Sequence, residues 1–312
     1  MGKSSFRFKT CYRFCLKLFL KLYLSRLFLK MRRDFFMINY NGEILSSETS
    51  LSNTNRAFLY GDGVFETLKI ANNTILFLED HYFRLMASMR IVRMQIPNNF
   101  TLDYFQEQII NLAVANNCQN SARIRFTVFR NDGGFYLPNT REVSYLIQAT
   151  PLENIKYQFS AATYEVDLYK DFVITKHLLS TIKTTNKMIN ITGSIFAKEN
   201  DLHNCLLINN DKSVVEALNG NLFMLSDNKL ITPSLEEGCL NGIIRKQILQ
   251  LAKKIDGIEV IEGTISPFDL QKANELFITN IICGIQPITK YRKKVFESKL
   301  SEQLVSMLNE LI

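Results

Sequence analysis

Histidine is scarce in this 312-residue chain, and its cysteines form no pattern that binds a metal. The three histidines stand apart from one another, and the six cysteines include no Cys-x-x-Cys pair. Zinc sites draw on several such ligands at close spacing, so the sequence gives no support for one. Scattered cysteines without a disulfide framework are typical of a reducing compartment, and we expect a cytoplasmic protein with buried thiols.

Long uninterrupted apolar runs are also missing. In residues 14–33, the stretch most like one, a Lys or Arg recurs too often for a membrane span. The same stretch lacks the clean apolar core and small-residue cleavage site of a signal peptide. No internal repeat or low-complexity segment is present. The length and the 46% hydrophobic content therefore predict two ordinary domains.

The net charge of +7 comes from one end of the chain. Residues 1–36 contain ten of the 37 Lys and Arg residues and one acid, Asp34, whereas residues 37–312 have a net charge of −2. A near-neutral body gives no reason to expect a nucleic-acid partner. Residues 1–36 fit either a basic amphipathic helix on a membrane or sequence upstream of a true start at Met37. We favour the second interpretation, and expect no membrane partner unless the extension is real.

Hydrophobic periodicity divides the remainder into two halves that mix strands and helices. A short strand begins at Met37, a hairpin follows with its turn at Asn72-Asn73, and strands recur up to about residue 150. We predict an α+β fold with a small domain at 37–150, a large domain at 151–312 and a ligand cleft between them. The predicted helices cover 79–92, 102–117, 185–200, 241–255 and 298–312, with a further helix start at 266–273.

Lys183 and Lys187 lie in the polar segment "STIKTTNKMIN". A lysine that forms a Schiff base must be partly desolvated, but a lysine among Thr and Asn is more simply a solvated one. Glu216 interrupts an apolar strand pattern just before an Asn-Gly turn. Such an acid is either on a solvated face or buried against a cation, of which a pyridinium nitrogen is one example. The residues alone leave both questions open.

Gly242 and Arg84 are candidates for binding a phosphate. Gly242 precedes a predicted helix, whose free N–H groups are a common phosphate site. Arg84 interrupts an apolar helical segment; its guanidinium suits phosphate, although a surface salt bridge is the simpler interpretation. A lysine, an acid, a helix-start glycine and an arginine are together the parts of a pyridoxal phosphate site.

Six segments between Met37 and Tyr291 resemble, in order and spacing, the fold type IV pyridoxal-phosphate enzymes, which form the class IV aminotransferase family. The resemblance implies a two-domain α+β fold with the cofactor in the inter-domain cleft, and a small amino compound as substrate. It also implies a homodimer whose sites take a loop from the neighbouring subunit. The segments are "NRAFLYGDGVFETLK", "EDHYFRL", "IKTTNK", "VVEALNGNLF", "GCLNGIIRKQIL" and "ELFITNIICGIQPI".

The resemblance implies roles for individual residues. Lys183 would form the Schiff base with pyridoxal 5'-phosphate and later move the proton at the substrate carbon, while Glu216 would hold a proton on the pyridine nitrogen. Many members carry threonine where Ile244 stands, so one hydrogen bond to the phosphate is expected to be absent. The residues expected around the phosphate are Arg84, Gly242, Ile243, Ile244, Thr279 and Asn280.

Local details favour 4-amino-4-deoxychorismate lyase within the family. The Lys-x-x-Asn form at Lys183 resembles the lyases and D-amino-acid enzymes, whereas branched-chain enzymes carry a glycine-rich stretch there. Thr67 stands where lyases have a threonine near the substrate, and "VFRNDGGFYLP" resembles their arginine-and-glycine loop. Lys69 and Arg130 are the expected carboxylate contacts, and 4-aminobenzoate, a folate precursor, would be the product.

Two alternatives stay open. One is a class IV transaminase that acts on branched-chain or D-amino acids, because few loop residues separate the family's substrate preferences. The other is a non-catalytic member that binds a phosphorylated ligand, although the presence of both Lys183 and Glu216 argues against a dead site.

Overall fold

The computed structural model describes residues 36–47 and 50–312. The expectations for the basic extension therefore fall, apart from residue 36, outside the described residues. No helix in the described part of the chain is long and apolar enough to cross a membrane.

Six antiparallel strands in the order β2-β1-β6-β5-β3-β4 form the first sheet. Its even-numbered residues on β3 and β5, such as Leu68 and Ile124, are fully buried and pack against two helices. The odd-numbered residues of the same strands face the other side, towards the second half of the chain. The first-half elements are β1 (Met37–Tyr40), β2 (Glu43–Ser46), α1 (Arg56–Tyr60), β3 (Gly63–Ala71), β4 (Thr74–Ile75), α2 (Leu78–Ile91), α3 (Leu102–Ala115), β5 (Ser121–Arg130) and β6 (Val143–Pro151).

A mixed ten-stranded sheet is the framework of the second half. Parallel pairing joins β7 to β8 and β11 to β12, and β13 lies between β10 and β14. The elements are β7 (Glu165–Ile174), α4 (Met188–Glu199), β8 (Asn204–Asn209), β9 (Val214–Ala217), β10 (Gly220–Ser226), β11 (Lys229–Pro233), α5 (Ile243–Ala252), β12 (Glu259–Gly263), β13 (Glu275–Asn280), β14 (Gly284–Ile288), β15 (Lys290–Tyr291), β16 (Lys294–Val295) and α6 (Lys299–Asn309).

The predicted α+β class is confirmed, with local differences. The helix expected from 185 starts at Met188, because the preceding residues pair with β3 instead. The helix start expected at 266–273 is a single 3₁₀ turn, Asp269–Gln271. Sequence reasoning missed α1 and β7. The boundary between two domains at residue 150 stays a prediction, although the two sheets draw on separate parts of the chain.

Candidate active site

A cavity of about 560 Å³ lies between the odd-numbered face of the first sheet and the second half of the chain. The first sheet contributes β3 and β5 to its wall, and the second half contributes the start of α5, the β9–β10 turn and the end of β13. The structure thus brings together most of the residues predicted for the site. Those that line the cavity are Thr67, Arg84, Lys183, Glu216, Gly242, Ile243, Ile244, Thr279 and Asn280.

Lys183 is held to the first sheet by backbone hydrogen bonds. The N–H of Phe65 donates to the Lys183 carbonyl at 2.8 Å, and the N–H of Thr185 donates to the Gly63 carbonyl at 2.9 Å. The Lys183 amine lies 4.8 Å from the centre of the Phe65 ring. Burial, together with the charges of nearby cations, lowers the pKa of Lys183 to about 8. About a tenth of this amine is therefore neutral at pH 7, which a nucleophilic lysine needs.

Lys187 lines the same cavity from the residue that caps the N-terminus of α4. A cation is unfavourable there, because the helix dipole is positive at that end. Burial lowers the pKa of Lys187 too, and the charge of Glu216 opposes that shift. Both lysines of the segment are thus in the site, but only Lys183 is bonded to β3.

Glu216 lies near the end of β9 and is half-buried. Its Oε2 accepts a hydrogen bond from the Leu240 N–H at 3.0 Å, and it forms no ion pair with any described residue. Burial raises the pKa of Glu216, although that hydrogen bond and the charges of Lys187 and Lys183 oppose the shift. A desolvated carboxylate in a cavity is stabilised by a cationic ligand, and the protonated nitrogen of a pyridine ring meets that need.

The start of α5, with its surroundings, forms what we call the phosphate end of the cavity. Gly242 is the N-cap, and no side chain caps the helix. A Cβ on Gly242 would collide with Oδ1 of Asn221, whose amide group donates to the Leu240 carbonyl at 2.7 Å. Only glycine fits this turn, and the first N–H groups of α5 are left for a ligand. Ile244 is buried and offers no hydroxyl, as expected from its side chain.

Arg84 reaches the phosphate end from α2. Its Nε and Nη2 donate to the two carboxylate oxygens of Glu66 at 2.8 and 2.6 Å. Its Nη1 donates to the Asn241 carbonyl at 2.8 Å, one residue before the cap of α5. The pair is not a surface salt bridge, since Glu66 is 1% exposed. This bidentate ion pair with Glu66 fixes the plane of the Arg84 guanidinium beside the start of α5.

Glu66 and His81 are site residues that sequence reasoning missed. Nδ1 of His81 lies 2.8 Å from Oε2 of Glu66, and both side chains are buried. Burial alone would raise the pKa of Glu66, but the charge of Arg84 and the bonds to both partners lower it to about 2. The carboxylate therefore stays ionised and holds Arg84. The His-x-x-Arg spacing puts His81 and Arg84 on one side of α2, which was the available signal.

Thr279 and Asn280 differ in what they offer. The Thr279 hydroxyl is buried and has no hydrogen-bond partner in the described part of the chain, as suits a group that awaits a ligand. The side chain of Asn280 is already used, because its Oδ1 accepts from the N–H groups of Ile282 and Cys283 at 3.0 and 2.9 Å. With the uncapped helix and Arg84, the orphan hydroxyl of Thr279 makes the phosphate end fit a phosphate group.

The two expected carboxylate contacts do not line the cavity. Arg130 is used inside the protein: its Nε donates to Asp62 at 2.9 Å, and its Nη2 donates to the Val92 carbonyl at 2.8 Å. Lys69 is buried, with its amine 4.3 Å from the centre of the Tyr157 ring. Burial lowers the pKa of Lys69, while Cys283, which does line the cavity, opposes the shift.

Arg123 and Arg125 line the cavity instead, and sequence reasoning missed them. Both alternate along β5 with Ile124 and Phe126, which are buried against α2 and α3. Arg123 and Arg125 therefore lie on the opposite face of the sheet. Arg125 lies over the Phe65 ring, with Cζ 3.7 Å from the ring centre. The alternation was visible in the sequence, but nothing there told which face of the sheet meets a ligand.

Comparisons with known proteins agree with this site. Residues 63–291 match the family described as amino-transferase class IV. A D-alanine aminotransferase of Listeria monocytogenes is 30% identical over 249 residues, which cover 75% of this chain and 80% of that protein. A putative branched-chain-amino-acid aminotransferase of Methanocaldococcus jannaschii is 26% identical over 276 residues, which cover 88% of this chain and 94% of that protein.

The fold also matches solved structures. A crystal structure of a putative 4-amino-4-deoxychorismate lyase from Legionella pneumophila superimposes with a TM-score of 0.76 at 22% identity, covering 85% of this chain and 97% of that one. At this identity the likeness concerns the fold alone. The sequence match spans most of the chain, and most of the residues predicted for the site line one cavity. The chain therefore belongs to the class IV aminotransferase family and is an enzyme that depends on pyridoxal phosphate.

Proposed function

We propose that this enzyme is a 4-amino-4-deoxychorismate lyase, which forms 4-aminobenzoate and pyruvate for folate synthesis. The observation that carries the proposal is the hydroxyl of Thr67. This side chain lines the cavity on β3, two residues from Phe65, and makes no hydrogen bond with any described residue. A free hydroxyl in the same cavity as the Lys183 amine is suited to donate or accept a proton on the substrate.

The chain's own residues supply binding and proton transfer. Pyridoxal phosphate, when bound, supplies the electron sink for the reacting carbon. The neutral fraction of Lys183 takes the proton from the ring carbon that bears the amino group. The C–O bond to the enolpyruvyl group then breaks, the ring becomes aromatic, and the released enolate takes up a proton to become pyruvate. Glu216 would hold the pyridine nitrogen, while Arg84, Thr279 and the start of α5 would hold the phosphate.

A direct assay tests the proposal. The purified holoenzyme is given 4-amino-4-deoxychorismate, and 4-aminobenzoate and pyruvate are measured. We expect both products in equal amounts and a loss of about 10³-fold or more in Lys183→Ala. Lys198→Ala, an exposed lysine on α4, is the matched control and should keep full activity. Thr67→Val should lose at least about 10-fold if the hydroxyl moves a proton.

A class IV transaminase is the second candidate. Its specific support is that the relatives described above are named for transfer of amino groups from D-alanine and branched-chain amino acids. The same lysine, acid and phosphate end serve that reaction. Glutamate formed from 2-oxoglutarate and one of these amino acids, without any 4-aminobenzoate in the lyase assay, would replace our proposal with this one.

We further propose that the enzyme works as a homodimer. The loop residues Phe135, Tyr136 and Leu137 are 83%, 93% and 85% exposed, yet Arg56 Nη1 fixes the loop by donating to the carbonyls of Gly133, Gly134 and Phe135. An ordered apolar loop in water is typical of a surface that a partner covers. Light scattering should give twice the chain mass, and Tyr136→Asp should shift the protein towards monomer. A wild-type protein that is monomeric at micromolar concentration would contradict this.

A further inference from the structure

The two helices that supply the phosphate end come from different halves of the chain. Helix α2 packs apolar residues such as Leu85 and Met89 into the core of the first sheet, whereas α5 packs Ile248 and Leu251 into a core of the second half. Arg84 is on α2 and the free N–H groups are on α5, so each half supplies only part of the phosphate end. The affinity for a phosphate therefore depends on how the two helices lie against each other.

Three side chains, which we call the clasp, join the two helices near their N-terminal ends. Oδ1 of Asp80 on α2 accepts a hydrogen bond from Nζ of Lys246 on α5 at 2.6 Å, and Oδ2 accepts one from Nε2 of Gln247 at 3.0 Å. Asp80 is 166 and 167 positions from these two partners in the chain. One carboxylate thus uses both of its oxygens to hold α5.

The clasp is one helical turn away from the residues of the phosphate end. Asp80 precedes Arg84 by four residues on α2, and Lys246 follows Gly242 by four residues, so each pair shares a face of its helix. Arg84 also donates to the carbonyl of Asn241, just before the cap of α5. Two successive turns of α2 are therefore bonded to the start of α5. The inner contact lines the cavity, and the clasp does not.

Apolar contact also joins the two regions, through the residues that precede α2. Leu76 and Phe77 lie in one cluster with Ile244 of α5. Hydrophobic contact is non-directional, whereas hydrogen bonds to both oxygens of one carboxylate set a distance and a direction. Gln247 is 9% exposed, so its bond to Asp80 is largely shielded from water. The clasp therefore supplies a directional part of the contact between α2 and α5.

We propose that Asp80 is a positioning residue, which holds the start of α5 at the distance from Arg84 that a phosphate group requires. Asp80 does not line the cavity, so it acts through α5 and not by touching the cofactor. Its loss should weaken the hold on the phosphate and leave the amine of Lys183 in place. The inference goes beyond the proposed function, because it rests on the cofactor dependence of the family and not on which amino substrate reacts.

Simple electrostatics predicts the opposite result. A carboxylate near a phosphate repels it, so a neutral residue in place of Asp80 should strengthen phosphate binding if the two groups interact only through space. Loss of the clasp should weaken that binding, because Arg84 and the start of α5 are no longer held together in advance. Asp80→Asn keeps the size of the side chain but has one acceptor oxygen instead of two. The direction of its effect therefore distinguishes the two explanations.

The test compares pyridoxal phosphate with pyridoxal, which lacks the phosphate. Both are bound to the full-length enzyme after cofactor removal, and their dissociation constants are measured by absorbance. The ratio of the two constants isolates the contribution of the phosphate. In Asp80→Asn we expect pyridoxal phosphate to bind about 5- to 10-fold more weakly, and pyridoxal to change by less than about 2-fold. A defect that merely loosened the whole site would weaken both ligands alike.

Matched variants guard the interpretation. Glu79→Gln removes the same charge from the exposed neighbouring position of α2 and should leave both affinities unchanged. Asp80→Glu keeps the carboxylate and should retain part of the preference for pyridoxal phosphate. D80N/K246Q should lose less than the product of the two single effects, because both side chains act through one contact.

Denaturant unfolding shows whether each variant is folded. If Asp80→Asn is not, Gln247→Leu takes its place: it removes only the second donor, and should weaken the binding of pyridoxal phosphate by a smaller factor while that of pyridoxal is unchanged.

The possible failures are distinguishable. A wild-type enzyme that binds the two ligands equally well would overturn the phosphate end and the clasp together. Unchanged or tighter binding of pyridoxal phosphate in Asp80→Asn, or an equal loss for both ligands, would overturn the clasp alone. The lyase assay, run with the cofactor in excess, depends on the amino substrate, so its failure would leave the clasp standing.

Discussion

The phosphate end differs from the part of the cavity wall that carries Arg123 and Arg125 on β5, here called the cationic wall, in how its positive charge is balanced. At the phosphate end, Arg84 is bonded through two donors to a buried carboxylate, which is itself held by His81. On the cationic wall, Arg123 and Arg125 have no acid within reach in the described part of the chain. Both regions line one cavity, and β3, which carries Glu66, is the neighbour of β5 in the first sheet.

The charge of Arg84 is balanced within the fold, whereas the charges of Arg123 and Arg125 are left facing the cavity. Glu66 makes the guanidinium of Arg84 part of the protein's own structure, so its position is set before any ligand binds. The arginines of the cationic wall have no ion-pair partner in the described part of the chain, so their mutual repulsion should destabilise the ligand-free protein slightly. Removing charge should therefore have opposite effects on stability in the two regions.

The largest effect is expected at the phosphate end. Glu66→Gln removes one charge of a buried pair and leaves Arg84 uncompensated, which should reduce the free energy of unfolding by about 3–5 kcal/mol. Denaturant unfolding of the cofactor-free protein measures it. Glu79→Gln, at an exposed position on α2, is the control and should change stability by less than about 0.5 kcal/mol. A similar small effect of both variants would mean that the pair does not stabilise the fold.

The contribution of the Glu66–Arg84 pair to stability should depend on pH. The pKa of Glu66 is about 2 in the folded protein against an ordinary 4.5, so its contribution is fully present above pH 4.5 and disappears as the pH falls towards 2. The shift corresponds to about 3 kcal/mol. The stability gap between wild type and Glu66→Gln, measured from pH 7 to 3, should narrow below pH 4.5. A gap that stays constant down to pH 3 would show that Glu66 is not the titrating group.

Removing charge from the cationic wall should change the free energy of unfolding in the opposite direction. R123Q/R125Q relieves repulsion in the ligand-free protein and should raise the free energy of unfolding by about 0.5–1 kcal/mol at low salt. The gain should shrink in high salt, because screening weakens the repulsion in the wild type. Unfolding at two salt concentrations measures both. Destabilisation by more than about 1 kcal/mol would mean that these arginines have structural partners.

The smallest effect is expected at Lys187, which lines the same cavity. Its charge helps burial and Arg84 to lower the pKa of Lys183, so Lys187→Met should raise that pKa from about 8 by less than about one unit. Only the neutral amine captures the cofactor's aldehyde. The rate of cofactor capture by the cofactor-free enzyme, followed against pH, therefore reports the shift. Lys198→Met is the control and should leave the profile unmoved.

Hydrophobic periodicity predicted much of the fold, and the order of the motifs predicted Lys183, Glu216 and Gly242 as residues of the site. The helices α2, α3, α5 and α6 were predicted because apolar residues recur at helical spacing, and β5 and β6 because they alternate. Met188, not residue 185, begins α4, since the residues around Lys183 find hydrogen-bond partners on β3 that are distant in the chain. No local pattern reveals such a partner.

The parts of the site that escaped prediction depend on pairing across the sheet. Arg130 and Arg125 look alike in the sequence, yet they sit on opposite faces of β5, and only the face with Arg125 meets the cavity. Asp62, 68 residues away, neutralises Arg130. Which arginine finds an acid is decided by the register of three strands and the fold of α1, and a motif does not encode that.

The backbone hydrogen bonds between the Lys183 segment and β3 affect how the substrate preference of this enzyme can change in evolution. The backbone of Gly63 and Phe65 positions the reactive amine, whereas side chains on the same strand and on β5 line the wall. Main-chain hydrogen bonds survive almost any exchange of side chains. Substitutions at residues 67, 123 and 125 can therefore change the cavity lining while the amine stays where it is. The side chains of β3 and β5 can thus vary with the substrate, while the backbone of β3 keeps the reactive amine in place.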